Sequence, residues 1–142
     1  MTSPMQRALA ECKANGWPAA VVEHFNPHAK IRVDLWGCID LLVLDGNPGV
    51  LGVQACAGDS HAARATKVRE TIQGAVKEPA TDRARASAQA KAAALRAWCK
   101  AGNRIEVWSF AKKGPRGKRK LWELRREPIL TFQGVPVESP GV

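Results

Sequence analysis

The sequence lacks a long apolar run anywhere in its 142 residues, and its first apolar stretch, in MTSPMQRALAECK, is interrupted by charges. A helix that crosses a bilayer needs about 20 mostly apolar residues, and a secretory signal peptide needs an uninterrupted apolar segment. We therefore expect neither a membrane span nor a cleavable leader. The length suits one domain across residues 1–142, and we expect that domain to be cytoplasmic.

The chain also lacks the spacings that mark common metal and nucleotide sites. Its four cysteines lie far apart and form no C-x-x-C pair, and the one histidine pair at H-x-x-x-H spacing, His24 and His28, is separated by Asn26 and Pro27, which interrupt the helix that such a metal site needs. These patterns disfavour zinc, a disulfide framework and histidine-based catalysis, so we expect four reduced, structural cysteines. No G-x-S-x-G, Walker or G-x-G-x-x-G motif occurs, which disfavours the corresponding hydrolases and nucleotide-binding folds.

Acidic residues are few. The chain has 13 Asp and Glu against 22 Lys and Arg, which gives a net charge of +9 and a pI near 9.9. Such a surface favours a polyanionic partner, and nucleic acid is the first candidate. A membrane surface is the second, but it requires an amphipathic helix with large apolar residues, whereas the predicted helices here carry mostly alanine.

Local signals predict alternating helices and strands. Ser3 and Gln6 form a capping box for a first helix that stops at Gly16, and Gly102 ends an alanine-rich helix that follows a linker at 77–82. Another helix is expected to begin at Asp59 or Ser60 and to run to about Gly74. Strands are predicted at 20–25, 34–45, 50–57, 104–110 and 120–126. The expected fold is α/β (α+β), in the order α-β-β-β-α-α-β-β, with a central mixed sheet of about five strands flanked by helices.

Asp40 lies in an almost continuously apolar predicted strand, where an unpaired carboxylate is costly to bury. The next predicted strand carries Gln54, also the polar residue of an apolar run. If residues 45–50 form a tight connection, the two side chains lie opposite each other on one face of the sheet. Carboxylate and amide oxygens suit a hard cation such as Mg²⁺.

The run Gly37-Cys38-Ile39-Asp40-Leu41-Leu42, a turn, Val53-Gln54-Ala55-Cys56 and a following helix resembles the core of the PD-(D/E)XK nucleases. The resemblance covers about residues 18–110 and is nearest to small phage and Holliday-junction-resolvase-like members. It implies a restriction-endonuclease-like core and a metal-dependent DNA endonuclease, structure-specific and homodimeric, that uses Mg²⁺ or Mn²⁺. It also implies that Asp40 and Gln54 are catalytic metal ligands.

The sequence departs from that motif at Cys56, where the family usually has a lysine. The following helix offers Arg64 and Lys67 at i and i+3, and Lys67 is our candidate for the missing catalytic cation. Glu23 and Asp34 are candidates to complete the metal ligands. Alternatively, these two carboxylates are exposed partners of Lys30 and Arg32.

A basic hairpin is predicted at 108–126, followed by a short C-terminal tail at 133–142. Trp108 and Trp122 flank its loop and are candidates for stacking on bases, although they are equally compatible with core positions. With Arg64, the expected nucleic-acid contacts are Lys112, Lys113, Arg116, Lys118, Arg119 and Lys120.

Two other interpretations stay open. The first is a nucleic-acid-binding module that has the nuclease fold but no catalysis, which Cys56 favours. The second is an RNA-binding or RNA-processing protein, because cations that contact phosphates do not separate RNA from DNA.

Overall fold

A computed structural model describes residues 2–130 of the chain, and the predicted tail at 133–142 lies outside these residues. The elements are α1 (Pro4–Asn15), β1 (Ala19–Val21), β2 (His24–Asn26), β3 (Ile31–Val33), β4 (Leu41–Val43), β5 (Leu51–Ala57), α2 (His61–Gln73), α3 (Asp82–Lys100), β6 (Arg104–Lys113) and β7 (Leu121–Leu130). None of the described helices is long and apolar enough to cross a membrane.

The central sheet has five strands in the order β1-β4-β5-β6-β7, so the predicted mixed α/β sheet is confirmed. Strands β5 and β6 are parallel, and every other neighbouring pair is antiparallel. A parallel pair needs a long crossover connection, and α2 and α3 provide it. Both helices therefore lie between β5 and β6 in the chain and pack against one face of the sheet.

The predicted order of elements is wrong in the first half of the chain, where five strands precede α2 instead of three. The expected strand at 20–25 divides into β1 and β2, and β2 pairs with β3 in a separate two-stranded sheet. The Asn26 side chain causes the reversal because its Oδ1 accepts hydrogen bonds from the backbone N–H groups of His28 and Ala29, at 3.0 and 3.2 Å.

The expected strand at 34–45 is interrupted by a tight turn. Leu35 and Ile39 exchange two backbone hydrogen bonds of 2.8 and 3.0 Å, and Trp36 and Gly37 between them have φ angles of 50° and 78°. Because Trp36 is not glycine, its left-handed conformation is not predictable from the residue type. Only Leu41–Val43 remains as β4.

Two apolar clusters cover the two faces of the sheet. On one face, α1 buries Ala8 and Cys12 against Val53 and Trp108. On the other, α2 and α3 contribute apolar residues such as Val68 and Leu95, which pack against Cys56 and Val107. All four cysteines are buried and free, in agreement with the structural role expected for them.

The helix expected to be capped by Asp59 or Ser60 begins at His61, after a single 3-10 turn at Gly58–Ser60. Ser60 occupies the N-cap position, but its side chain makes no capping hydrogen bond. In contrast, the predicted capping box at Ser3 and Gln6 and the left-handed Gly102, with φ of 94°, are both found.

A buried ion pair fixes the turn between β4 and β5. Both guanidinium Nη atoms of Arg104 bind the two carboxylate oxygens of Asp45, and the Asp45 side chain is 1% exposed. The hydrogen bonds from Arg104 lower the pKa of Asp45 to about 2. This clamp joins the β4–β5 turn, close to Asp40 and Gln54 in the chain, to the start of β6.

Replacement of Asp45 should therefore make the free energy of unfolding less sensitive to a fall in pH. Because the pKa of Asp45 is lower in the folded than in the unfolded chain, its stabilisation is present above about pH 4 and is lost as the pH falls toward 2. Asp45→Asn should lower the free energy of unfolding by about 2 kcal/mol near neutral pH and by much less near pH 2. Urea unfolding at several pH values measures this, with the exposed Glu70→Gln as control; an equal loss at every pH would contradict the assignment.

Candidate metal centre

Asp40 lies directly before β4, and both its backbone and its side chain are hydrogen-bonded. Its backbone N–H donates to the Val53 carbonyl at 2.9 Å, and its own carbonyl accepts from the Val22 N–H at 2.8 Å. Its carboxylate accepts hydrogen bonds from Gln54 Nε2 to Oδ1, at 2.7 Å, and from the Ala55 N–H to Oδ2, at 2.9 Å. The register pairs Leu41 with Val53, so Asp40 and Gln54 lie opposite each other, as the sequence predicted.

Glu23, Asp34 and Asp40 form a cluster in which one carboxylate oxygen of each lies within 4.8 Å of the others. We call these three residues the acidic triad. The turn at Leu35–Ile39 brings Asp34 to Asp40 by reversing the chain between them.

The β2–β3 hairpin brings Glu23 to the same point. His24 pairs with Val33, so Glu23 and Asp34 are the next two residues outward from the hairpin, at its base. An antiparallel ladder holds such positions close together. The three acidic residues are thus collected by two local chain reversals, neither of which is visible in the hydrophobic pattern of the sequence.

The electrostatics of the acidic triad are those of crowded carboxylates. Burial raises the pKa of Asp40 to about 8, and the charges of Asp34 and Glu23 add to the rise, while the Ala55 N–H opposes it. Carboxylates this close cannot all ionise without a compensating charge. A proton provides part of that compensation, and a divalent cation would provide more.

The oxygen donors of the acidic triad fit a hard cation, because Mg²⁺ and Mn²⁺ prefer carboxylates and water. Glu23 also binds a cation of the chain, since Arg32 Nη1 lies 3.5 Å from Glu23 Oε1. The alternative expectation for Glu23, a partnership with Arg32, is therefore also found. The Arg32 side chain is 68% exposed, so this ion pair contributes little to stability.

Gln54 has a different position from the one expected of a metal ligand. Its amide nitrogen points at Asp40, so that it orients the carboxylate, and the amide oxygen points away from that hydrogen bond. A half-turn of the amide would exchange the two atoms and present oxygen. The ligand role of Gln54 stays a prediction, whereas Glu23 and Asp34 each bring a carboxylate oxygen within 4.8 Å of one from Asp40.

The two candidate cations of α2 lie beside different neighbours. Lys67 lines the same groove as Asp34. Burial raises the pKa of Cys38 to about 12, and Lys67 is close enough to oppose that rise. Arg64 acts in the same way on Cys56, whose pKa is raised by burial. Within residues 2–130, neither Lys67 nor Arg64 forms an ion pair.

The basic hairpin forms as predicted from β6, β7 and their loop, and all six of its candidate phosphate contacts are exposed: Lys112, Lys113, Arg116, Lys118, Arg119 and Lys120. Val107 pairs with Gln54, so the strand end at Lys113 lies roughly 20 Å further along β6, at 3.3 Å per residue. The hairpin therefore lies well away from the acidic triad.

Of the two alternatives left open for the flanking tryptophans, the core position is the one that Trp108 occupies. This ring is fully buried, and its Nε1 donates to Glu106 Oε1 at 2.9 Å. Trp122 is 46% exposed, but the Arg7 guanidinium carbon lies 3.4 Å from its ring centre and covers one face. A base could contact only the remaining surface of Trp122.

A second buried polar cluster was missed by the sequence. His61 Nδ1 lies 2.6 Å from Ser109 Oγ, and His61 Nε2 lies 2.9 Å from Glu127 Oε1. Arg69 Nη2 donates to the other oxygen of Glu127 at 2.6 Å. His61, Ser109 and Glu127 are all buried, and their hydrogen bonds join α2 to β6 and β7. The available signals were Ser109 and Glu127, two polar residues in strands, but their distance in the chain hid the pairing.

Asp34→Asn should expose the repulsion within the acidic triad. Because the pKa of Asp40 is higher in the folded than in the unfolded chain, the stabilisation linked to its proton is lost as the pH rises from about 4 through 8. Removal of the neighbouring charge should reduce that loss, so that in chelator the variant is about 1 kcal/mol more stable than the parent near pH 9.

With Mg²⁺ the order should reverse, because the parent gains stability by binding the cation and the variant gains less. Urea unfolding with chelator and with Mg²⁺ measures both effects, and the exposed Asp82→Asn is the control. Equal stabilisation of parent and Asp34→Asn by Mg²⁺ would contradict a metal site at the acidic triad.

Comparisons with known proteins find no match: no family model matches the chain, and no curated protein or solved structure is significantly similar to it. The resemblance to the PD-(D/E)XK nucleases therefore stays a prediction from the motif around Asp40 and Gln54.

Proposed function

We propose that this chain is a metal-dependent nuclease of the PD-(D/E)XK type, with a restriction-endonuclease-like core, that hydrolyses phosphodiester bonds in DNA. One observation carries the proposal: three carboxylates from separate segments converge within 4.8 Å, and one of them, Asp40, is buried. A fold that only needed stability would gain by replacing this cluster with apolar side chains. A cation-binding site gives the cluster a function.

The residues of the site have separate roles in this proposal. Glu23, Asp34 and Asp40 hold Mg²⁺ or Mn²⁺, and Gln54 and the Ala55 N–H orient the carboxylate of Asp40. When bound, the cation makes the phosphorus more electrophilic and lowers the pKa of a coordinated water. Lys67, without an ion pair among the described residues, balances negative charge that develops on the phosphate.

The basic hairpin serves binding and not chemistry. Its exposed lysines and arginines contact phosphates without reading bases. The distance between the hairpin and the acidic triad corresponds to part of one turn of a DNA duplex. We propose further that cleavage is structure-specific and resolvase-like. Paired incisions across a junction would require a homodimer.

Cys56 supports a second candidate, a nucleic-acid-binding module without catalysis. Its side chain is 5% exposed and packs in the apolar cluster beneath α2, and burial raises the pKa of its thiol. A neutral thiol cannot act as the ammonium group of the family motif does. The two candidates make opposite predictions for cleavage in the presence of Mg²⁺.

Asp40→Asn should abolish cleavage and leave DNA binding nearly unchanged. The amide retains the shape of the side chain but loses the charge that holds the cation, so the rate should fall by at least about 100-fold. Gel assays with branched, duplex and single-stranded DNA and with RNA, each with Mg²⁺, Mn²⁺ or chelator, measure the change. Asp82→Asn is the control. Cleavage by Asp40→Asn at the parent rate would contradict a catalytic metal site at Asp40.

Lys67→Ala should slow single-turnover cleavage by about 100-fold with little loss of binding, because a positioned charge acts mainly in the transition state. Arg64→Ala, one turn earlier on the same helix, is the matched comparison and should change the rate much less. Cys56→Lys in the Lys67→Ala background should restore part of the rate if both ammonium groups reach one locus. Unchanged cleavage by Lys67→Ala would remove this residue from the mechanism, and absence of cleavage by the parent with either metal would favour the binding module.

A further inference from the structure

A groove of about 520 Å³ opens between β3, α2 and α3, with the acidic triad at one end. We call it the cationic groove, and its lining includes Arg32, Asp34, Lys67 and Lys91. Asp34 belongs both to this lining and to the acidic triad. A ligand in the groove is therefore in direct reach of the candidate metal centre.

The charges of the groove favour a phosphate backbone. Arg32, Lys67 and Lys91 come from three different elements, one from each wall. Lys67 and Lys91 form no ion pair within the described chain, and Arg32 has only its exposed contact with Glu23. Cations without intramolecular partners are available to an anionic ligand.

The shape of the groove limits what can enter. Its lining includes four small residues, Gly37, Ala75, Ala84 and Ala88, and a Cβ atom added to Gly37 would lie 3.5 Å from the Lys91 side chain. Its volume lies in the range of clefts that hold one small organic molecule, which corresponds to one or two nucleotides. A cleft of this volume does not enclose a duplex, whose major groove alone is about 12 Å wide.

We propose that the cationic groove binds single-stranded nucleic acid and leads its backbone to the acidic triad. The substrates would then be single strands, or single-stranded ends and arms of branched DNA, and not the interior of a continuous duplex. The lining residues include no aromatic ring, so contacts are to phosphate and sugar, and binding is independent of base sequence. The cleavage part of this inference rests on the proposed nuclease function, but the binding part does not.

The test measures binding in chelator, so that no cleavage is needed. Anisotropy of short fluorescent single-stranded DNA and RNA, and of a blunt duplex, is followed for four variants. Ala84→Trp fills the groove, and Ala93→Trp, about two and a half turns further along α3 and outside the lining, is its control. Lys91→Ala removes one groove cation, and Arg96→Ala on the same helix is its control.

Ala84→Trp should weaken binding of the single strands by at least about tenfold, while duplex binding through the basic hairpin stays at the parent level. Lys91→Ala should lower the slope of log affinity against log salt by about 0.7 for the single strands, the value for one phosphate contact. Thermal unfolding checks that each variant is folded.

Parent-like single-strand binding by both groove variants would overturn the proposal, and so would an equal loss for duplex. The two proposals fail separately. If the groove variants lose single-strand binding but the parent never cleaves with Mg²⁺ or Mn²⁺, the groove stands and the nuclease function falls. If the parent cuts continuous duplex and the groove variants cut it equally well, the nuclease function stands and the groove falls.

Discussion

The two hydrogen bonds that Asp40 accepts, from the Ala55 N–H and from the Gln54 amide, hold a buried carboxylate beside two others. The rest of the site depends on this arrangement. The clamp of Asp45 and Arg104 joins the β4–β5 turn to β6, and the β4–β5 register puts Gln54 opposite Asp40. Two chain reversals bring Glu23 and Asp34 to the same point. The fold thereby retains an electrostatic cost that a bound cation would offset.

The sequence predicted this site where the pattern was local. The turn at 45–50 and the apolar runs on either side of it indicate which residues of the two strands meet, and the polar residue in each run, Asp40 and Gln54, showed which pair lies together on one face. The long alanine-rich helix, the capping box at Ser3 and the basic hairpin followed from equally local signals. Each depends on neighbours within a few residues, so periodicity and turn chemistry were sufficient.

Other features depended on contacts between distant segments. The left-handed Trp36 carries no signal of a turn, so the chain reversal that brings Asp34 to Asp40 was hidden in what reads as one strand. The partners of His61 lie 48 and 66 residues away, and no spacing rule connects them. Trp108 was equally compatible with a core or a surface position, and only the packing of α1 against the sheet places it in the core.

The central claim is that Glu23, Asp34 and Asp40 together hold a divalent cation, and crystals grown with Mn²⁺ test it most directly. Anomalous diffraction locates manganese without reference to activity. The account predicts one strong peak bonded to an oxygen of each of the three carboxylates, at about 2.1 Å, the distance typical of a small hard cation. A map that shows no manganese peak between these three side chains would contradict the central claim. A map in which manganese binds elsewhere, and Asp40 keeps its two hydrogen bonds and its neighbours, would contradict it as well.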